Sequence, residues 1–126
     1  MKAGRELDAL VAEKVMGWHQ SERQPYIFHN DDGYPYVLDK EYNLRCPHSK
    51  FLPSTSIAAA WRVVEKFCDE KSANFPQDVH VEWNGFHWFC YLNTEQMIAT
   101  ENDAITADTA PLAICLAALK AVESVV

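Results

Sequence analysis

The sequence predicts one domain of mixed helix and sheet, an α+β or α/β chain, on three observations. Apolar residues recur at helical spacing in three stretches. Between the second and third stretch the period drops from 3.6 to 2 around Asn84-Gly85, the mark of a β-hairpin. The chain has 126 residues, 48% of them hydrophobic, which is the length of one domain and enough apolar surface for a core. It is too apolar for intrinsic disorder and too mixed for a coiled coil. No run approaches the roughly 18 apolar residues of a membrane span. The opening residues MKAGRELDALVAEKV are an interrupted amphipathic pattern, unlike the apolar block of a signal peptide. A soluble, cytoplasmic chain without membrane contact is expected.

The first helix is expected over about Arg5 to Met16. Leu7, Leu10, Val11 and Val15 share one face, while Asp8, Glu13 and Lys14 take others. Glu6 suits the positive end of the helix dipole, and Gly17 suits a left-handed stop. Trp18 then folds back onto the helix end. Residues 19–52 are the least regular part. Within them Tyr26-Ile27-Phe28 and Tyr34 to Leu38 read as short strands joined by an Asn30-Asp31-Asp32-Gly33 turn.

The second helix follows Pro53-Ser54-Thr55-Ser56, where Ser54 and Ser56 offer capping oxygens. Ile57, Ala60, Trp61, Val64, Phe67 and Cys68 form its apolar stripe, with Trp61 filling the core. Ser72 to Pro76 ends it. For the hairpin, Asn84-Gly85 is read as the two positive-φ residues of a type I′ turn. That register sets Trp83 opposite Phe86 and Glu82 opposite His87. Val79, Val81, Trp83, Phe86, Trp88 and Cys90 become a core face. Asp78, His80, Glu82, His87, Phe89 and Tyr91 form the other, wet near the turn and apolar beyond it. Glu95 to Thr100 reads as a third antiparallel strand. The last helix begins near Thr109, with Asp108 or Thr109 as cap and Pro111 in its first turn. It is apolar almost all round, and alanines at 113, 117, 118 and 121 permit close approach to a neighbour. It should lie between the sheet and another helix.

The net charge of −7 is uneven. Residues 1–50 carry seven basic and eight acidic side chains, and residues 51–126 carry four and ten. No Lys or Arg occurs from Ser72 to Leu119, where Asp78, Glu82, Glu95, Glu101, Asp103 and Asp108 lie. Nucleic acid is not expected as a partner, because phosphate contacts need clustered Lys and Arg. The four cysteines, Cys46, Cys68, Cys90 and Cys115, form no CxxC pair. Cys68, Cys90 and Cys115 fall on apolar positions and read as small buried hydrophobes rather than disulfide partners. Cys46-Pro47-His48 offers two metal ligands, but no second pair has zinc-site spacing, so neither metal nor cofactor is expected.

Three blocks carry a family resemblance. They are Lys2 to Asp8 with Val15-Met16-Gly17-Trp18, then Pro53-Ser54-Thr55-Ser56-Ile57-Ala58-Ala59-Ala60-Trp61 with Val63-Val64-Glu65-Lys66, and Thr109 to Cys115 with Ala118 to Val122. Together they cover about a third of the chain and resemble the phage ABA-sandwich domain family, small proteins of phages and prophages. A looser similarity runs to NinX-type phage proteins, which share Ser-Thr followed by Ala-Ala-Trp on one helix. The resemblance implies one α+β domain over 1–126, a three-layer helix–sheet–helix (αβα) sandwich with a small antiparallel sheet. Residues 19–52 would be a variable loop. The family offers no catalytic residues to transfer onto this chain.

No nucleophile elbow, phosphate loop, dinucleotide fingerprint or metalloprotease motif is present. Four readings of function remain. The first is an accessory protein without catalysis that engages or inhibits a host protein, a defence or replication component, through aromatic residues, the acidic stretch and the irregular 19–52 loop. The second is a small-molecule binder that sequesters a nucleotide, stacking a base on aromatic side chains and holding phosphate with Arg23 or Arg45. The third is an acid–base or metal enzyme using His80, Glu82 and His87. The fourth is a homo-oligomer formed through the last helix. Candidate binding residues are His80, Glu82, His87, Phe89, Tyr91, Tyr34, Tyr36 and Arg45.

Overall fold

A computed structural model describes residues 2–24, 26–39, 49–69, 76–94 and 105–124. In chain order the elements are α1 (Arg5–Leu10, continued by a π-helical turn over Val11–Val15), β1 (His19–Gln20), β2 (Ile27–His29), β3 (Pro35–Val37) and β4 (Ser49–Lys50). Then come α2 (Ile57–Asp69), β5 (Pro76–Trp83), β6 (Trp88–Thr94), β7 (Ile105–Ala107) and α3 (Ala110–Ser124). The fold is the expected α+β sandwich, with its strands divided between two sheets. One runs β1-β2-β3-β4, and the other β5-β6-β7. All neighbours are antiparallel except β3 and β4.

The first helix has the predicted extent but not the predicted geometry throughout. After Leu10 it widens. Met16 N–H donates to Val11 O at 3.0 Å, and Trp18 N–H reaches back to Ala12 O at 2.9 Å. These bonds span five and six residues, so the helix ends in a wide turn rather than an α turn. Gly17, at φ 73, makes the reversal an L side chain would resist. Trp18 is buried and packs on Tyr36 and Phe51, not merely on the helix end.

Asp8 departs from the sequence reading. It is 2% exposed rather than solvated. It lies three, four and seven residues before Val11, Ala12 and Val15, and that spacing carries it inward with them.

The β2–β3 hairpin forms as predicted. Asn30 Oδ1 accepts from Asp32 N–H at 3.0 Å and from Tyr34 N–H at 2.8 Å, which ties the turn. Helix α2 starts where expected, with Ser56 Oγ accepting from Ala59 N–H at 3.3 Å. Its buried face is Ala59, Ala60, Val63 and Val64. Trp61 does not fill the core but stands 52% exposed beside exposed Ile57. The buried face is turned by part of a helical turn from the predicted stripe, and α3 packs against α2. Ala113, Ala117, Ala118 and Ala121 of α3 are all buried. Thr109 Oγ1 caps α3 at Leu112 N–H, 3.3 Å away.

Helix α3 is the hub. It packs on β5, β6 and β7, on α2 and on the helical turns of residues 5–15. The third strand of its sheet is β7, in the segment read from sequence as the approach to the last helix. The strand predicted over Glu95 to Thr100 lies outside the described residues, as do Cys46 and His48.

Candidate functional site

Among the described residues, the β5–β6 hairpin carries the longest exposed run, Glu82 to His87. Its register places Trp83 opposite Trp88, Glu82 opposite Phe89, Val81 opposite Cys90 and His80 opposite Tyr91. The predicted type I′ turn at Asn84-Gly85 is therefore not formed. The tip is Gly85-Phe86, one residue later, and every cross-strand pairing moves by two residues. The reason lies in Asn84. Its Oδ1 accepts from Phe86 N–H at 2.9 Å and His87 N–H at 2.8 Å, while its own N–H donates to His87 O at 3.1 Å. Asn84 thus closes the loop from outside, in an ordinary backbone conformation. Gly85, at φ 97, takes the left-handed position alone. A glycine first in a two-residue tip is the arrangement of a type II′ turn.

A two-residue shift preserves which face each side chain takes. Cys90 is buried and Val81 and Trp88 pack on the core, as expected. The turn end of that face is not core. Trp83 is 53% exposed and Phe86 81%. The Trp83 and Trp88 rings lie 5.8 Å apart at 53°. A tryptophan pair therefore closes the strands, and Phe86 stands exposed in the turn beyond it. Glu82 and Asp108 are exposed nearby, the latter one residue beyond Ala107, which pairs with Trp88.

The proposed catalytic trio comes apart in this register. Glu82 faces Phe89 instead of His87, and His87 sits in the loop. His80 stacks on Tyr91 at 4.7 Å and 15°, and Tyr91 lies parallel to Phe89 at 6.5 Å. These residues form an aromatic ladder on the sheet face away from α3. Among the described residues, no group of three His, Cys, Asp or Glu is placed to hold a metal ion.

Tyr34 and Tyr36 belong to the other sheet. Tyr36 stacks on Trp18 at 4.4 Å and 15°, and Tyr34 leans on Tyr36 at 5.2 Å. Arg62 of α2 covers this group. Its guanidinium carbon lies 5.0 Å from the Tyr36 ring centre, 5.8 Å from Phe51 and 5.9 Å from Trp18. One guanidinium nitrogen donates to Tyr36 Oη at 3.1 Å. The sequence points to Arg23 or Arg45 as the anion holder, not to Arg62. Arg23 is exposed in the bend before β2, and Arg45 lies outside the described residues. No sequence signal links Arg62 to Tyr36, since the pair joins α2 to β3 across 26 residues of chain.

A buried polar knot joins α1 to the segment before α2. Ser54 N–H donates to Asp8 Oδ1 at 2.8 Å, and Gly4 N–H donates to Ser54 Oγ at 2.9 Å. Ser54 thus secures the first helix rather than capping the second. Burial pushes the Asp8 carboxyl above the usual carboxylate range, and the hydrogen bonds from Ser54 pull it back by less. Arg5 and Asp39 pair at 3.4 Å beside Asp8, along a cleft of about 260 Å³. Cys90 and Cys115 are free, buried thiols. Burial pushes Cys90 up to about 12 and Cys115 further, with Asp8 and Cys90 adding to the latter. Neither is poised as a nucleophile.

An α+β sandwich with aromatic groups on two separate sheets defines the class of this protein. The phage ABA sandwich domain model matches residues 9–119, and the chain belongs to that family. Among solved structures, it is similar to a crystallised phage protein from Bacillus cereus ATCC 14579, at 26% identity. That match covers 94% of this chain and 86% of the other, with a TM-score of 0.63. No curated protein matches the chain. Among the described residues, no helix is long and apolar enough to cross a membrane.

Proposed function

We propose that the protein is a phage- or prophage-encoded accessory protein that acts by binding a host protein, without catalysis, through the β5–β6 hairpin tip. The supporting observation is the exposure of Phe86 beside half-exposed Trp83 and its neighbour Trp88. Single exposed apolar residues are ordinary, but clustered aromatics on a fixed turn are typical anchors of an interface. The three bonds at Asn84 hold the tip in shape, so binding need not order a loose loop. Charge defines the partner further. The sheet carries no Lys or Arg, and Glu82 and Asp108 border the tip. The complementary surface is an apolar pocket rimmed by basic residues.

The test is affinity capture from bacterial host lysate with the wild type and with Phe86→Ser/Trp83→Ser, at low and high salt. A stoichiometric host protein lost from the double variant, and bound less at high salt, supports the reading. Equal capture by both forms, or no stoichiometric protein at all, overturns it. A matched thermal unfolding curve for the variant shows that the fold is intact.

A further inference from the structure

We propose that Arg62, Tyr34 and Tyr36 form a binding site for a small phosphomonoester carrying a planar ring, of the nucleoside monophosphate class. The site is independent of the hairpin tip and lies on the other sheet. An exposed arginine on a helix ordinarily samples many rotamers, and binding an anion would mean freezing them. Arg62 is already held. Three rings, Tyr36, Phe51 and Trp18, lie within 5.9 Å of its guanidinium carbon, and Tyr36 Oη accepts one of its hydrogens. The entropy of positioning is therefore spent in folding.

The remaining donors give the site its chemistry. A guanidinium has five N–H groups in a planar fork, and Tyr36 takes one. No carboxylate pairs with Arg62 among the described residues. A held guanidinium with its fork open to solvent suits a phosphate, which accepts two parallel hydrogen bonds. The rings beneath it raise its preference for an anion over water by shielding one face. The acid-rich sheet β5-β6-β7 is a different surface.

The ring preference comes from Tyr34. It is 46% exposed and flanks Tyr36 at 5.2 Å, as Arg62 does at 5.0 Å. Its backbone is pinned by Asn30 Oδ1 at 2.8 Å, so the ring is presented from a fixed turn. Tyr34 and Arg62 both lie against half-buried Tyr36, which puts an exposed aromatic ring and a guanidinium within reach of one ligand, its base on the ring and its phosphate on the fork.

The experiment is calorimetric titration with AMP, adenosine and inorganic phosphate as separate probes. Wild-type, Arg62→Lys, Arg62→Ala and Tyr34→Leu proteins are compared, each checked by thermal unfolding. Saturable AMP binding is expected, weakened roughly tenfold or more in both Arg62 variants and several-fold in Tyr34→Leu. Arg62→Lys keeps the charge over the rings but loses the fork, so it reads out the site even if Arg62→Ala is unstable. Adenosine and inorganic phosphate should each bind at least about tenfold more weakly than AMP. The proposal is overturned by no AMP binding, by AMP binding indifferent to Arg62→Lys, or by inorganic phosphate binding as well as AMP.

Discussion

Asp8 and Arg62 are two charged residues whose roles follow from what surrounds them. Asp8 sits in the core with Ser54 as its partner, and its proton is held more tightly in the folded state than in the unfolded chain. The consequence for stability has a definite sign. Between the usual carboxylate range and the raised value of Asp8, the folded state binds more protons, so its contribution falls as pH rises. Below that window both states are protonated and the contribution is complete. Asp8→Asn keeps the shape and removes the titration. Urea unfolding from pH 4 to pH 7 should therefore show the variant gaining on the wild type as pH rises, whereas parallel profiles would refute the linkage. Sequence spacing places Asp8 with Val11, Ala12 and Val15, but a carboxylate on that face is ordinarily read as solvated. What reverses the reading is Ser54, 46 residues away, which no local pattern reveals.

At the scale of elements, the hairpin shows what is legible and what is not. Alternation from Val79 to Trp83 and from Trp88 to Leu92 marks two strands, and Asn84-Gly85 marks the turn between them. The faces are right for the same reason, since period 2 survives a shift of two. The register is not, because Asn84 can either enter a positive-φ turn or cap one from outside. Propensity favours both, and only the number of hydrogen bonds decides. Gly85 alone now requires a positive φ, so Gly85→Ala should destabilise by about 1–2 kcal/mol. Phe86→Ser should stay within about 0.5 kcal/mol, since Phe86 is exposed and its backbone does the work of the turn. Denaturant midpoints for the two variants check this, and a large loss in Phe86→Ser would mean the ring is structural. Helix α2 teaches the same lesson. Its period is plain, but Trp61 and Ile57 lie at the stripe's edge. Which edge is covered depends on where α3 crosses.

For the whole molecule, the helix stripes, the two hairpins and the all-round apolar α3 were readable, and they account for the sandwich. The division of strands into two sheets was not. It depends on the parallel pairing of β3 with β4 and on β7 closing the second sheet, both made by segments of only two or three residues. Arg62 over Tyr36 is of the same kind, being a contact between α2 and β3 across 26 residues of chain. Because α3 touches the second sheet and both other helices, a change there should be felt throughout. Ala118→Leu adds three carbons where Ala118 is 1% exposed, and should cost about 1–3 kcal/mol by overpacking. Unfolding followed by tryptophan fluorescence and by far-ultraviolet circular dichroism should shift together, since Trp18 and Trp88 both pack on the core that α3 completes. Separate transitions would show that the two sheets fold independently.

The wide turn at Val11–Val15 has an arithmetic consequence. A π turn accommodates one residue more than an α turn over nearly the same rise, so the first helix carries a surplus residue. Deleting exposed Glu13 should let the helix close as a regular α-helix. Trp18 would keep its seat against Tyr36, and its fluorescence maximum would be unchanged. Deleting Ala60 instead, inside the regular α2, would rotate Val63 and Val64 off the core and abolish cooperative unfolding.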